Sequence, residues 1–158
     1  SQQRARAGTQ NAAGAVGFAA ALDHAYAAGF ETRMADLRAR RDRLISGVLA
    51  AVPDAVLRGA EPGDDRLPGN AHFTFPGCQG DSLVFLLDAA GVSASVGSAC
   101  QAGVAEISHV LLALGVPESE AVGALRFTLG VETSDAEIDA LLAALPEAVR
   151  RARAAGLA

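Results

Sequence analysis

The stretch "SASVGSACQAG", Ser93 to Gly103, sets Cys100 among small residues with no large apolar side chain on either flank. Thiolate is the reactive form of cysteine, so a nucleophilic cysteine needs access and a way to lose its proton. Gly97, Ser98, Ala99 and Gly103 supply access and backbone freedom, which suits a nucleophile that moves; the alternative is a small residue filling a tight turn. Cys78, after Phe75-Pro76-Gly77, reads as incidental, and no Cys-x-x-Cys pair supports disulfide redox chemistry. His109 follows Cys100 by nine residues and could lower a thiol pKa, or be an ordinary satisfied histidine. The spacing of Cys100, Glu106 and His109 matches no common zinc pattern, so no metal site is expected. Arg126 alternates with Leu125 and Phe127 and so points away from their apolar face. A guanidinium there can grip a carboxylate through two parallel hydrogen bonds, or simply be solvated. In Arg6-Ala7-Gly8-Thr9, Gly8 permits close backbone approach. The Thr9 hydroxyl, beside the first N–H groups of a helix, suits a phosphate or plain N-capping.

The elements that must position these groups are legible in outline. Thr9 or Asn11 caps an alanine-rich helix, and apolar residues from Val16 to Val52 recur at mainly helical spacings up to Pro53. The segment is too long for one ordinary helix, so a bend or break is expected at Gly29, and an i,i+4 ion pair between Asp36 and Arg40. Ala55–Arg58, Ala71–Phe75, Val92–Ser95 and the stretch around Leu125–Leu129 read as strands. Asp81 and Ser108 are expected to cap short helices, the second stopped by Gly115. Ser134-Asp135-Ala136-Glu137 is a capping box opening a terminal helix with Pro146 inside it. The pattern predicts an α+β fold: a few-stranded, mainly antiparallel sheet with helices on one side, preceded by a long linking helix. Residues 1–52 form the linking helical segment and 53–158 a small domain carrying the cysteine loop.

Composition narrows the function. With 158 residues, 51% of them apolar, the chain can bury a core, and a net charge of −5 argues against a nucleic-acid-binding surface. No apolar run is long enough to span a membrane and no signal peptide is seen, so a cytoplasmic setting is expected. All 13 basic residues are arginine, so chemistry that needs a lysine amine cannot be completed by this chain alone.

Taken in order, "RAGTQNAAGAVGFAAAL", "RLPGNAHFTFPG", "VSASVGSACQAG", "SHVLLALGV" and "ALRFTLG" resemble cysteine desulfurases of the NifS/IscS type, pyridoxal-phosphate enzymes of the class-V aminotransferase family. The match runs along nearly the whole chain, and the longer Gly-Ser-Ala-Cys loop is similar to that group rather than to the selenocysteine-lyase-like one. The resemblance implies the small-domain end of a fold-type-I transferase. The chain begins at Ser1-Gln2-Gln3 without methionine and lacks the cofactor lysine, so it is expected to be the C-terminal portion of a longer enzyme and inactive by itself.

For the intact enzyme the resemblance implies that pyridoxal 5'-phosphate activates L-cysteine, that Cys100 takes its sulfur as a persulfide, and that L-alanine leaves. It implies that Arg126 binds the substrate carboxylate and that Thr9 contacts the cofactor phosphate, from the opposite subunit of a homodimer. The sulfur would pass to an acceptor such as an iron–sulfur scaffold or a tRNA-thiolation protein. No role is carried over for Arg6 or His109. Competing readings are a selenocysteine lyase-like relative, a non-enzymatic sulfur-carrier or interaction domain using Cys100 alone, and an inactive structural fragment.

Overall fold

The computed structural model describes residues 11–96 and 107–156. Thr9 and Arg6 lie outside the described residues, as do Cys100 and its neighbours from 97 to 106. The chain divides into two compact units, Ser1–Arg33 and Met34–Ala158.

In the first unit, helix α1 (Ala12–Ala25) starts where the Asn11 side-chain oxygen accepts a hydrogen bond from the Gly14 N–H at 2.9 Å. It buries none of its residues, and Val16, Phe18 and Tyr26 stay exposed. The expected break falls at Gly29, whose φ of 87° lies in the left-handed region that glycine enters without steric cost. Arg33 fastens this corner by donating to the carbonyls of Ala25 (2.9 Å) and Ala28 (3.1 Å). Helix α2 spans Phe30–Ala51.

The second unit is built on a three-stranded antiparallel sheet in the order β1 (Val56–Arg58), β2 (Asn70–Thr74), β3 (Ala124–Thr128). Strand alternation sends Ala71, Phe73, Leu125 and Phe127 to one face. There they form a single core with Leu44, Ile45 and Val48 of α2, Leu83 and Leu87 of α3 (Gly80–Asp88), and Ile138, Leu141, Leu145 and Val149 of α6 (Asp135–Gly156). Two short helices, α4 (His109–Ala113) and α5 (Glu118–Ala121), add a second, smaller cluster in which Leu111, Val116 and Ala121 pack with Ala124 of β3.

The capping box forms as the sequence implies. Glu137 accepts from the Ser134 N–H at 2.7 Å, and the Glu137 N–H donates back to the Ser134 hydroxyl at 3.3 Å. Three local expectations change. Val92–Ser95 makes no strand but one bridge, Ser95 to Arg126. Gln79, not Asp81, occupies the N-cap of α3, and Asp81 sits in its first turn, where a negative charge still meets the helix dipole favourably. Asp36 and Arg40 form no ion pair among those found. The neighbouring Arg41 instead turns inward, fully buried, and donates to the carbonyls of Arg66 (3.0 Å) and Leu67 (3.2 Å), pinning the 59–69 loop.

Gly123 sits where β3 begins and has no room for a side chain. A Cβ there would lie 2.4 Å from the Phe75 carbonyl oxygen, while Phe75 N–H donates to the Gly123 carbonyl at 3.0 Å. Backbone is the obstacle, so relief requires breaking that rung. Gly123→Ala is expected to cost about 1–3 kcal/mol in chemical denaturation; an unchanged midpoint would contradict the close packing.

Candidate functional site

Alternation in β2 and β3 places Asn70, His72 and Thr74 with Ala124, Arg126 and Thr128 on the sheet face opposite the main core. The register aligns four residues across the sheet: Arg58 of β1, His72 of β2, Arg126 of β3 and Ser95 beyond it. Arg126 and Ser95 exchange both backbone hydrogen bonds, at 2.6 and 3.1 Å. Since the N–H and C=O of a strand residue point to the same side, Arg126 faces His72 as a non-hydrogen-bonded pair. In such pairs the Cα atoms approach to about 4.5 Å and the side chains lie close.

The three arginines of this region differ in what their guanidinium groups bind. Arg58 donates from Nε to the Thr74 hydroxyl at 2.9 Å and pairs with Glu120. Arg66 is absorbed by the carbonyls of Ala60 (2.6 Å) and Arg58 (2.7 Å). Arg126 has no ion pair among the described residues, and its Nε is buried without a hydrogen-bond partner. His72 Nε2 is buried and unpartnered in the same way. Burial, and then the positive charges of Arg126, Arg66 and Arg58, hold the His72 pKa below its ordinary value and so favour the neutral imidazole. Leaving such groups unsatisfied costs about 1–3 kcal/mol each. Arg126 Nε and His72 Nε2 are thus the two buried nitrogens left without a partner among the described residues, beside an unpaired positive charge, and together they suit a small anion.

The cysteine segment is tied to this face at both ends. Its described part stops at Val96, one residue after the Ser95–Arg126 bridge. It resumes at Ile107, which packs on the cluster containing Ala124 of β3. Sequence reasoning named Arg126 and Cys100 but assigned nothing to His72. The available signal was the alternation around Phe73, which puts His72 on the Arg126 face.

The remaining candidates stand apart. His109 opens α4 with its side chain exposed. Cys78 is a free, buried thiol whose Sγ lies 3.8 Å from the Val149 carbonyl oxygen, and burial pushes its pKa up, which makes it inert. A cavity of about 270 Å³, lined by Leu44, Val92, Phe127, Thr133, Glu137 and Ile138 among others, contains no thiol, imidazole or guanidinium. Among the described residues no three His, Cys, Asp or Glu side chains gather to hold a metal, and no helix is long and apolar enough to cross a membrane.

Known proteins share the sequence and fold of this chain. An IscS-like cysteine desulfurase of Mycobacterium tuberculosis is 54% identical over 155 residues, covering 97% of this chain and 38% of the relative. Cysteine desulfurase NifS of Azotobacter vinelandii is 39% identical over 148 residues, covering 94% of this chain and 36% of the relative. A solved NifS-like protein superposes with a TM-score of 0.72 at 29% identity, covering 92% of this chain and 36% of that one. The NifS-like protein of Rickettsia africae, at 24% identity and a TM-score of 0.71 over 92% of this chain and 36% of its own, shares the fold. The chain thus spans a little over a third of the length of these relatives. The family model for class-V aminotransferases matches residues 1–141, and the chain belongs to that family.

Proposed function

We propose that this chain is the sulfur-accepting and substrate-clamping part of a pyridoxal 5'-phosphate-dependent cysteine desulfurase. The observation that carries the reading is Arg126: a guanidinium with a buried, unpartnered Nε and no ion pair among the described residues, bridged by its own backbone to the segment leading to Cys100. The relatives' names supply the reaction class.

The residues present fit one part of that chemistry. Arg126 offers a carboxylate of the substrate two parallel donors. The sequence contains no lysine, so no side-chain amine of this chain can bond the cofactor aldehyde, and Thr9, assigned to its phosphate, lies outside the described residues. The cofactor, held by lysine-bearing sequence that this chain does not contain, would supply an electron sink for the substrate's carbon skeleton. The chain's own contribution is the sulfur transfer. Cys100 loses its proton, and its Sγ forms an S–S bond with the substrate sulfur while the substrate Cβ–S bond breaks. The bond pair stays with carbon, which takes up a proton. The sum is L-cysteine plus Cys100 thiol giving L-alanine plus Cys100 persulfide, with no external oxidant or reductant. The persulfide then passes to an acceptor protein, such as an iron–sulfur scaffold, and the working unit is a homodimer.

Two measurements test the reading together. The cofactor-loaded enzyme given L-cysteine without an acceptor should release one L-alanine per site, with one extra sulfur atom mapped by mass spectrometry to the Cys100 peptide. The 158-residue chain alone, mixed with pyridoxal phosphate and reduced with borohydride, should carry no adduct on any side chain and release no alanine. Sulfur mapped to Cys78 would refute the reading. A chain that takes up persulfide sulfur on Cys100 only from a donor enzyme, with no lysine-bearing counterpart, would make it a carrier, the role the missing lysine favours for the chain in isolation.

A further inference from the structure

We infer that His72 is a second substrate-binding residue: its Nε2–H and the Nε–H of Arg126 together receive one carboxylate, which enters side-on between the two strands. The inference rests on the desulfurase reading and deepens it, because the carboxylate meant is the α-carboxylate of the amino-acid substrate.

The geometry begins with the register. His72 and Arg126 are directly opposed on β2 and β3, and the backbone bonds of Arg126 go to Ser95, so the pair is of the narrow kind with close side chains. Each presents one buried nitrogen without a partner. Arg126 Nε can only donate. A neutral imidazole has one N–H to donate and one lone pair, and its proton can sit on Nε2. A carboxylate is acceptor-only, with two oxygens, so a single carboxylate satisfies both orphans at once.

Neighbouring groups favour the same ligand. The other arginine of the row, Arg58, is already committed to Thr74 and Glu120, and Arg66 to backbone carbonyls. No acidic side chain pairs with Arg126 among the described residues, so its charge is left for a ligand. The orphan is Nε rather than a terminal nitrogen, which selects the side-on fork of the guanidinium, made by Nε and one Nη, over the end-on fork. A side-on carboxylate extends toward a cross-strand neighbour, and His72 is that neighbour. Burial, and then three nearby arginine charges, disfavour the imidazolium, which favours His72 as a neutral donor over another competing cation.

The test uses the cofactor-loaded enzyme with ¹⁵N-labelled histidine. The His72 signals are identified by their loss in His72→Asn. L-alanine, which has the carboxylate but no sulfur, should move the His72 Nε2 resonance and show it protonated, and L-alaninamide should leave it in place. His72→Phe, which keeps a ring but has no donor, should weaken L-alanine binding about tenfold, the worth of a hydrogen bond to a charged group. The KM for L-cysteine should rise in step, with kcat little changed, and His72→Asn, which retains a side-chain N–H, should recover most of the loss. In an Arg126→Ala background His72→Phe should cost much less, since the two act on one ligand. An unprotonated Nε2 in the alanine complex would show that His72 accepts from Arg126 instead of binding substrate, and would overturn the inference. So would a folded His72→Phe enzyme with unchanged alanine affinity. If His72→Phe does not fold, the wild-type titration decides alone. Arg126→Ala without effect on alanine binding would sink the carboxylate reading itself, whereas a loss with Arg126→Ala but none with His72→Phe would sink only the role of His72.

Discussion

Cys100→Ser in the cofactor-loaded enzyme is expected to abolish persulfide formation and reduce L-alanine release from L-cysteine to background. The reason is acidity. A free thiol ionises near pH 8.5, within reach of modest tuning, whereas an alcohol is far too weak an acid to attack sulfur as an anion at neutral pH. Substrate binding should survive, because the proposed carboxylate clamp is Arg126 and not the thiol. Folding should survive as well: in the sequence Cys100 stands among glycine, serine and alanine and outside the apolar pattern. Cys78→Ser is the matched control. That thiol is buried against the Val149 carbonyl, which can accept a hydrogen bond from a serine hydroxyl too, so turnover should stay near normal. Alanine release close to wild type from Cys100→Ser would rule out the proposed sulfur transfer.

The second large effect belongs to Arg126. Arg126→Ala should raise the KM for L-cysteine about ten- to a hundredfold, the range expected for a charge-assisted pair of hydrogen bonds. The fold should tolerate the change, because the Arg126 side chain has no ion pair among the described residues and its removal also removes a buried, unpartnered Nε. Arg126→Lys should recover only part of the affinity: an ammonium restores the charge but not the planar fork. An unchanged KM in a well-folded Arg126→Ala enzyme would make this an ordinary surface arginine.

The strands and the capped terminal helix were legible because their signals are local. Phe73 and Phe75, and Leu125 and Phe127, alternate with polar residues, and Ser134 and Glu137 have the spacing their reciprocal hydrogen bonds require. The misses came from effects that local spacing does not encode. Asp36 and Arg40 have a good helical separation, yet the tertiary demand of the 59–69 carbonyls decides where the neighbouring Arg41 goes. Helix α5 is only four residues, too short to show a period. Val92–Ser95 has strand-like residues, but among the described residues it pairs only as the isolated bridge from Ser95 to Arg126. For the site, alternation was enough to aim Arg126. The placement of His72 opposite an Arg126 unpaired among the described residues required the register between β2 and β3 and the knowledge of which arginines are already engaged, and neither is a property of a single segment.

The lone bridge between Ser95 and Arg126 has a consequence for amide exchange. The Arg126 N–H points away from β2 and is covered by the Ser95 carbonyl, while the amides of Leu129 and Phe75 are held by partners across the β2–β3 ladder. Solvent therefore reaches the Arg126 amide when the Ser95 rung opens, even with the sheet intact. Exchange at that one amide therefore reports the opening of the Ser95 rung separately from any opening of the β2–β3 ladder.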